Sequence, residues 1–233
     1  MGYLMEREHI FKQYDAELNE IRSLLLEMGG KVEQMIADAM KSLVERDSDL
    51  ARRLIALDHQ VNHLELEIDE KCLQVLARRQ PAARDLRFIT LALKIVTDLE
   101  RIGDQCTSVA KRVVELNNEP PLKPYIDLPR MAAAAGTMVK EALDAFVRGD
   151  AELAITVCKE DAFVDGLNDQ IQRELLTFMM EDPSSISRAL KLLYISKYME
   201  RIADHATNVA EMVIFMVKGK DIRHTAPPSG EIA

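Results

Sequence analysis

A chain of 233 residues can bury a sizeable core as one large or two small domains, and its formal charge of −9 argues against nucleic acid as a partner, which needs a basic face. Few aromatics (5%), no Trp and an abundance of Leu, Ala, Met and Glu favour helix. Cys72, Cys106 and Cys158 lie scattered in helical patterns, so they read as small core residues of a reducing compartment and exclude a disulfide frame.

From Leu4 to about Asp47 the apolar positions Ile21, Leu25, Met28, Val32, Met35, Ile36, Ala39 and Leu43 fall at threes and fours, which predicts a first helix. Gly29 and Gly30 interrupt it, so a bend or tight packing of another backbone is expected there. Ser48 reads as the cap of a second helix that carries Leu54, Leu57, Val61, Leu64 and Ile68 and stops near Arg79, because Pro81 cannot continue it. A third runs from about Ala83 to Leu116, with Ile95, Leu99, Ile102, Cys106, Val109 and Val113 as a bundle seam. The stretch 117–124, with Pro120, Pro121 and Pro124, is the one clear linker.

The second half then repeats the first: a helix from about Leu128 to Arg148 with the small run Ala132 to Ala135, one capped by Asp150, a turn at Asp182 to Ser185, and a last helix to about Lys218. The fold expected is all-α, two tandem antiparallel three-helix bundles, with residues 1–118 and 119–218 as the halves and 219–233 as a disordered tail. No apolar run approaches the ~20 residues of a membrane span, and the N-terminus has no signal core. The expected place is the cytoplasm, with any membrane association made through partners.

The repeat is sharpest around one motif. At an offset of one hundred, Leu93, Ile95, Glu100, Arg101, Ile102, Asp104, Thr107, Val109 and Ala110 have identical counterparts around Glu200, Arg201, Ile202 and Asp204. Glu100 with Asp104, and Glu200 with Asp204, are four apart and share a helix face, where like charges repel by a few tenths of a kcal/mol. With Leu99 and Ile102 on the seam these acids fall on the outer side, and the small Gly103 and Ala203 leave room for something to approach. The preceding helices carry Asp58 with Asn62, and Asp161 with Asp165, repeated at an offset of 103. If the two helices of each half lie side by side, four oxygen-bearing side chains converge. Such sets suit hard cations such as Mg, Mn, Ca or ferric iron and lack the thiolates of a structural zinc site. The alternative is a solvated acidic face in which Arg101 reaches Asp104, Arg201 reaches Asp204 and Lys197 lies near Glu200.

Glu-Arg-Ile-Gly-Asp at 100–104 and Glu-Arg-Ile-Ala-Asp-His-Ala-Thr-Asn-Val-Ala-Glu at 200–211, in tandem three-helix repeats, resemble the PhoU family, as does the turn Gln80-Pro81-Ala82-Ala83-Arg84-Asp85-Leu86-Arg87. The resemblance covers nearly all of the chain except the tail. It implies two three-helix bundles whose acidic motifs hold multinuclear clusters of iron or zinc. The matching positions are Glu100, Asp104, Glu200, Asp204, Asp161 and Asp165, with Asp58 in the first half, where Asn62 departs from the acidic pattern. It further implies negative regulation of the phosphate-starvation response and of phosphate uptake, through contacts with the ATPase subunit of a phosphate ABC transporter and a sensor histidine kinase, as a homodimer or higher oligomer.

Two other readings stay open: a carboxylate-metal-dependent hydrolase or oxidase, and a structural helical oligomer without metal. The enzyme lacks an evident general base beside a concave site. His59 and His63, four apart, read as ordinary exposed histidines. Arg78, Arg79, Arg84 and Arg87 make the densest basic cluster, as solvated helix ends or as a docking point for an acidic partner.

Overall fold

A computed structural model of the chain describes residues 2–219; the tail expected at 219–233 lies, beyond Gly219, outside the described residues. Six α-helices account for the described fold, with no strand: α1 (Gly2–Val44), α2 (Ser48–Arg78), α3 (Ala83–Leu116), α4 (Asp127–Arg148), α5 (Ala151–Glu181) and α6 (Ile186–Lys218). No helix among the described residues is long and apolar enough to cross a membrane.

The apolar stripes set the packing. Helices α1, α2 and α3 meet in one bundle and α4, α5 and α6 in the other, while α3 lies against α6 and α1 against α4. One continuous core therefore runs through both repeats, from Ile21 and Met35 of α1 through Ile95 and Leu99 of α3 to Ile195 and Met199 of α6. Gly29 does not bend α1, which is unbroken. A Cβ there would stand 2.2 Å from Leu143 Cδ1, so the glycine is where α4 seats closely on α1.

The turns repeat as well. Asp150 caps α5 by accepting from the amides of Glu152 and Leu153 after Gly149, which is left-handed at φ 66°. In the first half Asp47, one residue before the expected Ser48, caps α2 in the same way, because its carboxylate reaches the amides of Asp49 and Leu50. The preceding position is Arg46, at φ 58°, a conformation that strains a residue with a Cβ. Its guanidinium offsets that strain by donating to the carbonyls of Asn117 (2.9 Å) and Glu119 (2.6 Å). The connecting segment is thereby tied down, and Lys191 donates to Glu119 Oε1 at 3.0 Å from the other side. All three cysteines are free thiols, and burial pushes Cys72 up to about 12 and Cys158 to about 11.

Candidate metal-binding patches

Packing of α2 on α3 brings Asp58, hydrogen-bonded to Asn62, within electrostatic reach of Glu100 and Asp104, and packing of α5 on α6 does the same for Asp161, Asp165, Glu200 and Asp204. Four of the expected acids lie deeper than an outer face would put them. The side chains of Glu100 and Glu200 are 18% and 14% exposed, against 46% for Asp104, and Asp58 and Asp161 are half-buried. Helix packing is the cause. A Cβ on Gly103 would stand 3.4 Å from Val61 Cγ1 and 3.5 Å from Asp58 Oδ1. Gly103 and Ala203 are thus buried, and what approaches Gly103 is α2 itself, so the space expected beside it is filled.

In the first patch Asn62 donates its amide to Asp58 Oδ2 at 3.2 Å. That leaves Asp58 Oδ1 and Asn62 Oδ1 buried with no hydrogen-bond partner among the described residues, an arrangement costing on the order of 1–3 kcal/mol per orphaned group. The Arg101 guanidinium reaches Glu100 only at 3.6 Å and Asp104 at 3.8 Å. Burial first, then the charge of Asp104, pushes the Glu100 carboxyl above its ordinary range. In the second patch Lys197 Nζ donates to Glu200 Oε1 at 2.5 Å, while Arg201 is exposed and, among the described residues, forms no ion pair with Asp204.

Burial, followed by the charges of Asp165 and Asp204, raises Asp161 from 3.8 to about 6. Asp165 and Asp204 are raised by burial and then by Glu200.

Two acids of the first patch escaped sequence reasoning. Glu65 and Asp69 continue the 4, 3, 4 spacing of Asp58 and Asn62 along α2, and burial raises both carboxyls, with Asp69 and Asp104 adding to the effect on Glu65. Their counterparts at an offset of 103 are Asn168 and Gln172. The first half therefore keeps an amide at 62 and acids at 65 and 69, and the second half reverses that order. Reading one turn further along the helix shows the signal. His59 and His63 are exposed, as expected. A further contact joins the repeats: His205 Nδ1 lies 2.8 Å from Asp98 Oδ1, across the α3–α6 interface.

Every donor here is an oxygen, and unpaired carboxylate oxygens stand half-buried among like charges, which fits a hard cation chemically. Among the described residues, however, no three His, Cys, Asp or Glu side chains stand close enough together to share one ion. The candidate ligands are grouped as neighbours and not as a closed coordination shell.

The raised carboxyls set a pH dependence for the metal-free protein. A carboxyl raised on folding binds its proton more tightly in the folded state, so its stabilising share is complete below the unfolded value and is lost as pH rises through the folded one. For Asp161 the loss falls between about pH 4 and 7 and amounts to roughly 2 kcal/mol after solvent screening. Glu100, Asp165 and Asp204 act in the same direction. Glu17, lowered by its hydrogen bonds from Arg79, acts in the opposite one, losing its contribution as pH falls through its depressed value. Protein dialysed against EDTA should have a higher urea midpoint at about pH 5 than at about pH 7.5. A midpoint that rises steadily towards pH 7.5 would show that the acids are not crowded.

A duplicated, six-helix bundle protein bearing one acidic patch per repeat is the class that fold and geometry define. The PhoU domain model matches residues 25–113 and 128–213, one copy in each repeat, and the chain belongs to the PhoU family. A phosphate-specific transport system accessory protein PhoU homolog of Pseudomonas putida is 48% identical over 218 residues, covering 93% of this chain and 85% of that protein. The phosphate-specific transport system accessory protein PhoU of Escherichia coli strain K12 is 38% identical over 224 residues, covering 96% and 93%. Among solved structures, PhoU from Pseudomonas aeruginosa superposes with a TM-score of 0.85 at 47% identity, covering 89% of this chain and all of that one. The phosphate transport system regulatory protein PhoU from Streptococcus pneumoniae gives 0.82 at 29%, covering 89% and 98%. These relatives are named as accessory or regulatory proteins and not as enzymes.

Proposed function

We propose that this chain is a non-enzymatic regulator of phosphate transport, a metal-binding adaptor between the ATPase subunit of a phosphate ABC transporter and a sensor histidine kinase. In that role it restrains the phosphate-starvation response and phosphate uptake from the cytoplasm, as a homodimer or higher oligomer. The observation that carries the reading is the pairing of PhoU-family membership with two half-buried carboxylate patches, one per repeat. Glu100, Asp104 and Asp58 would hold metal in the first half, and Glu200, Asp204, Asp161 and Asp165 in the second, with iron or zinc as the ion. Bound cations would relieve the crowding of like charges and stiffen the helix pairs that carry them.

The groove between α1 and α4 and the cleft at the bundle end take no wall from either patch. The test is co-purification of the chain with the transporter ATPase and the sensor kinase from cells grown in high and in low phosphate. Both should be recovered, in amounts that change with phosphate. Recovery of neither under either condition would sink the adaptor reading.

A further inference from the structure

The arginines at the bundle end do not stay together as their sequence spacing suggests. Arg79 is drawn away by Glu17, to which it donates two hydrogen bonds at 3.1 and 2.9 Å. Arg84 and Arg87, in the first turns of α3, instead meet Arg22 of α1 and Arg148 of α4 around a cleft of about 260 Å³. Four arginines and one acid, Asp85, line this cleft in a protein whose formal charge is −9. Arginine stays protonated at any physiological pH, so the cleft is permanently cationic.

These cations are largely uncommitted. Arg84 and Arg87 are exposed and have no ion-pair partner among the described residues, where Arg148 reaches only Asp144, at 3.7 Å. Arg22 is held by Phe88, whose ring centroid lies 4.5 Å from its guanidinium carbon, and donates to Asn19 Oδ1 at 2.8 Å, so that group is oriented in advance. Asp85 accepts from the Tyr14 hydroxyl at 3.0 Å. Ala82, before α3, supplies no side-chain cap, so the amides of the first turn add positive potential at the same end.

We infer that this cleft binds a compact anion carrying two or more linked phosphoryl groups. Planar guanidinium forks match tetrahedral oxyanions in pairs, and guanidiniums from three separate helices exceed what one phosphoryl group can engage. The volume lies just below the roughly 300–1,000 Å³ of pockets that take drug-sized ligands, which suits a small ligand better than a protein segment. The site is separate from the carboxylate patches and does not depend on the adaptor reading.

Isothermal titration of the full chain, kept metal-free in EDTA at moderate salt, tests this with pyrophosphate, ATP, orthophosphate and sulfate as probes. Pyrophosphate or ATP should bind one to one and at least about tenfold more tightly than orthophosphate or sulfate, the tighter of the two identifying the source of the phosphoryl chain. In the Arg84→Gln/Arg87→Gln variant, whose changes are on exposed side chains and should leave the helical circular dichroism intact, that affinity should fall at least about tenfold. Absence of pyrophosphate and ATP binding, or equal affinity for sulfate, or equal affinity in the variant, overturns the proposal.

Discussion

Asp161→Asn combined with Asp204→Asn is expected to raise the thermal midpoint of the metal-free protein, and to abolish the further rise that iron(III) citrate or zinc sulfate brings about in the parent chain. The two effects have opposite signs for one reason. In the absence of a cation, Asp161 is crowded by burial and by the charges of Asp165 and Asp204. Neutralising two of these acids without changing their shape removes a penalty of about 1–2 kcal/mol. At ~2–4 °C per kcal/mol for a chain of this size, the gain is a few degrees. A cation at about a hundred times its dissociation constant adds ~2.7 kcal/mol to the parent, and losing two of four anionic donors removes most of that. Scanning calorimetry with and without added metal reads both terms. A metal-induced rise that survives the double change would show that the ion sits elsewhere. Asp58→Asn should do less, since Asp58 already accepts from Asn62 and that half carries an amide where the other has Asp165.

Phe146→Ala should be the most damaging single change, lowering stability by about 3–5 kcal/mol and the melting temperature by roughly 10 °C. Phe146 is 1% exposed and stacks on Phe88 with ring centroids 5.1 Å apart and planes at 11°. The pair joins α4 of the second repeat to α3 of the first, so its loss opens a cavity where the halves meet. Phe163, 45% exposed on α5, provides the control: its replacement by alanine should cost well under 1 kcal/mol. Unfolding free energies from urea titration that differ between the two variants by less than about 1 kcal/mol would show that the stack contributes little beyond surface contact.

The six helices were legible because heptad-like spacing and prolines act locally: α3 begins at Ala83 and ends at Leu116 where its seam residues and flanking turns place those limits. The cap at Asp47 was missed by one residue because Ser48 and Asp47 are both good caps, and only the backbone decides between them. Gly103 was misread for a different reason. A small residue beside an acid leaves space on an isolated helix, but which neighbour enters that space is a matter of tertiary packing, and Val61 does. The acids of both patches were legible from their duplication, whereas their depth was not, since burial depends on how closely α2 and α5 approach. The grouping of Arg22 and Arg148 with Arg84 and Arg87 spans three helices and leaves no trace in local spacing.

The way α3 packs on α6 and α1 on α4 has an evolutionary reading. Equivalent helices of the two repeats meet each other, so the molecule has the form of a homodimer whose subunits have been joined end to end. Tethering keeps each half at roughly millimolar effective concentration for the other, and the partnership no longer relies on identical surfaces. Each half is then free to drift. Asp98 faces His205 across the joint, while the symmetry-related positions hold Tyr198 and Gln105, so what began as one contact made twice has become two different contacts. A fused pair of this kind can offer two unlike faces from a single ancestral surface, which a symmetric dimer cannot do.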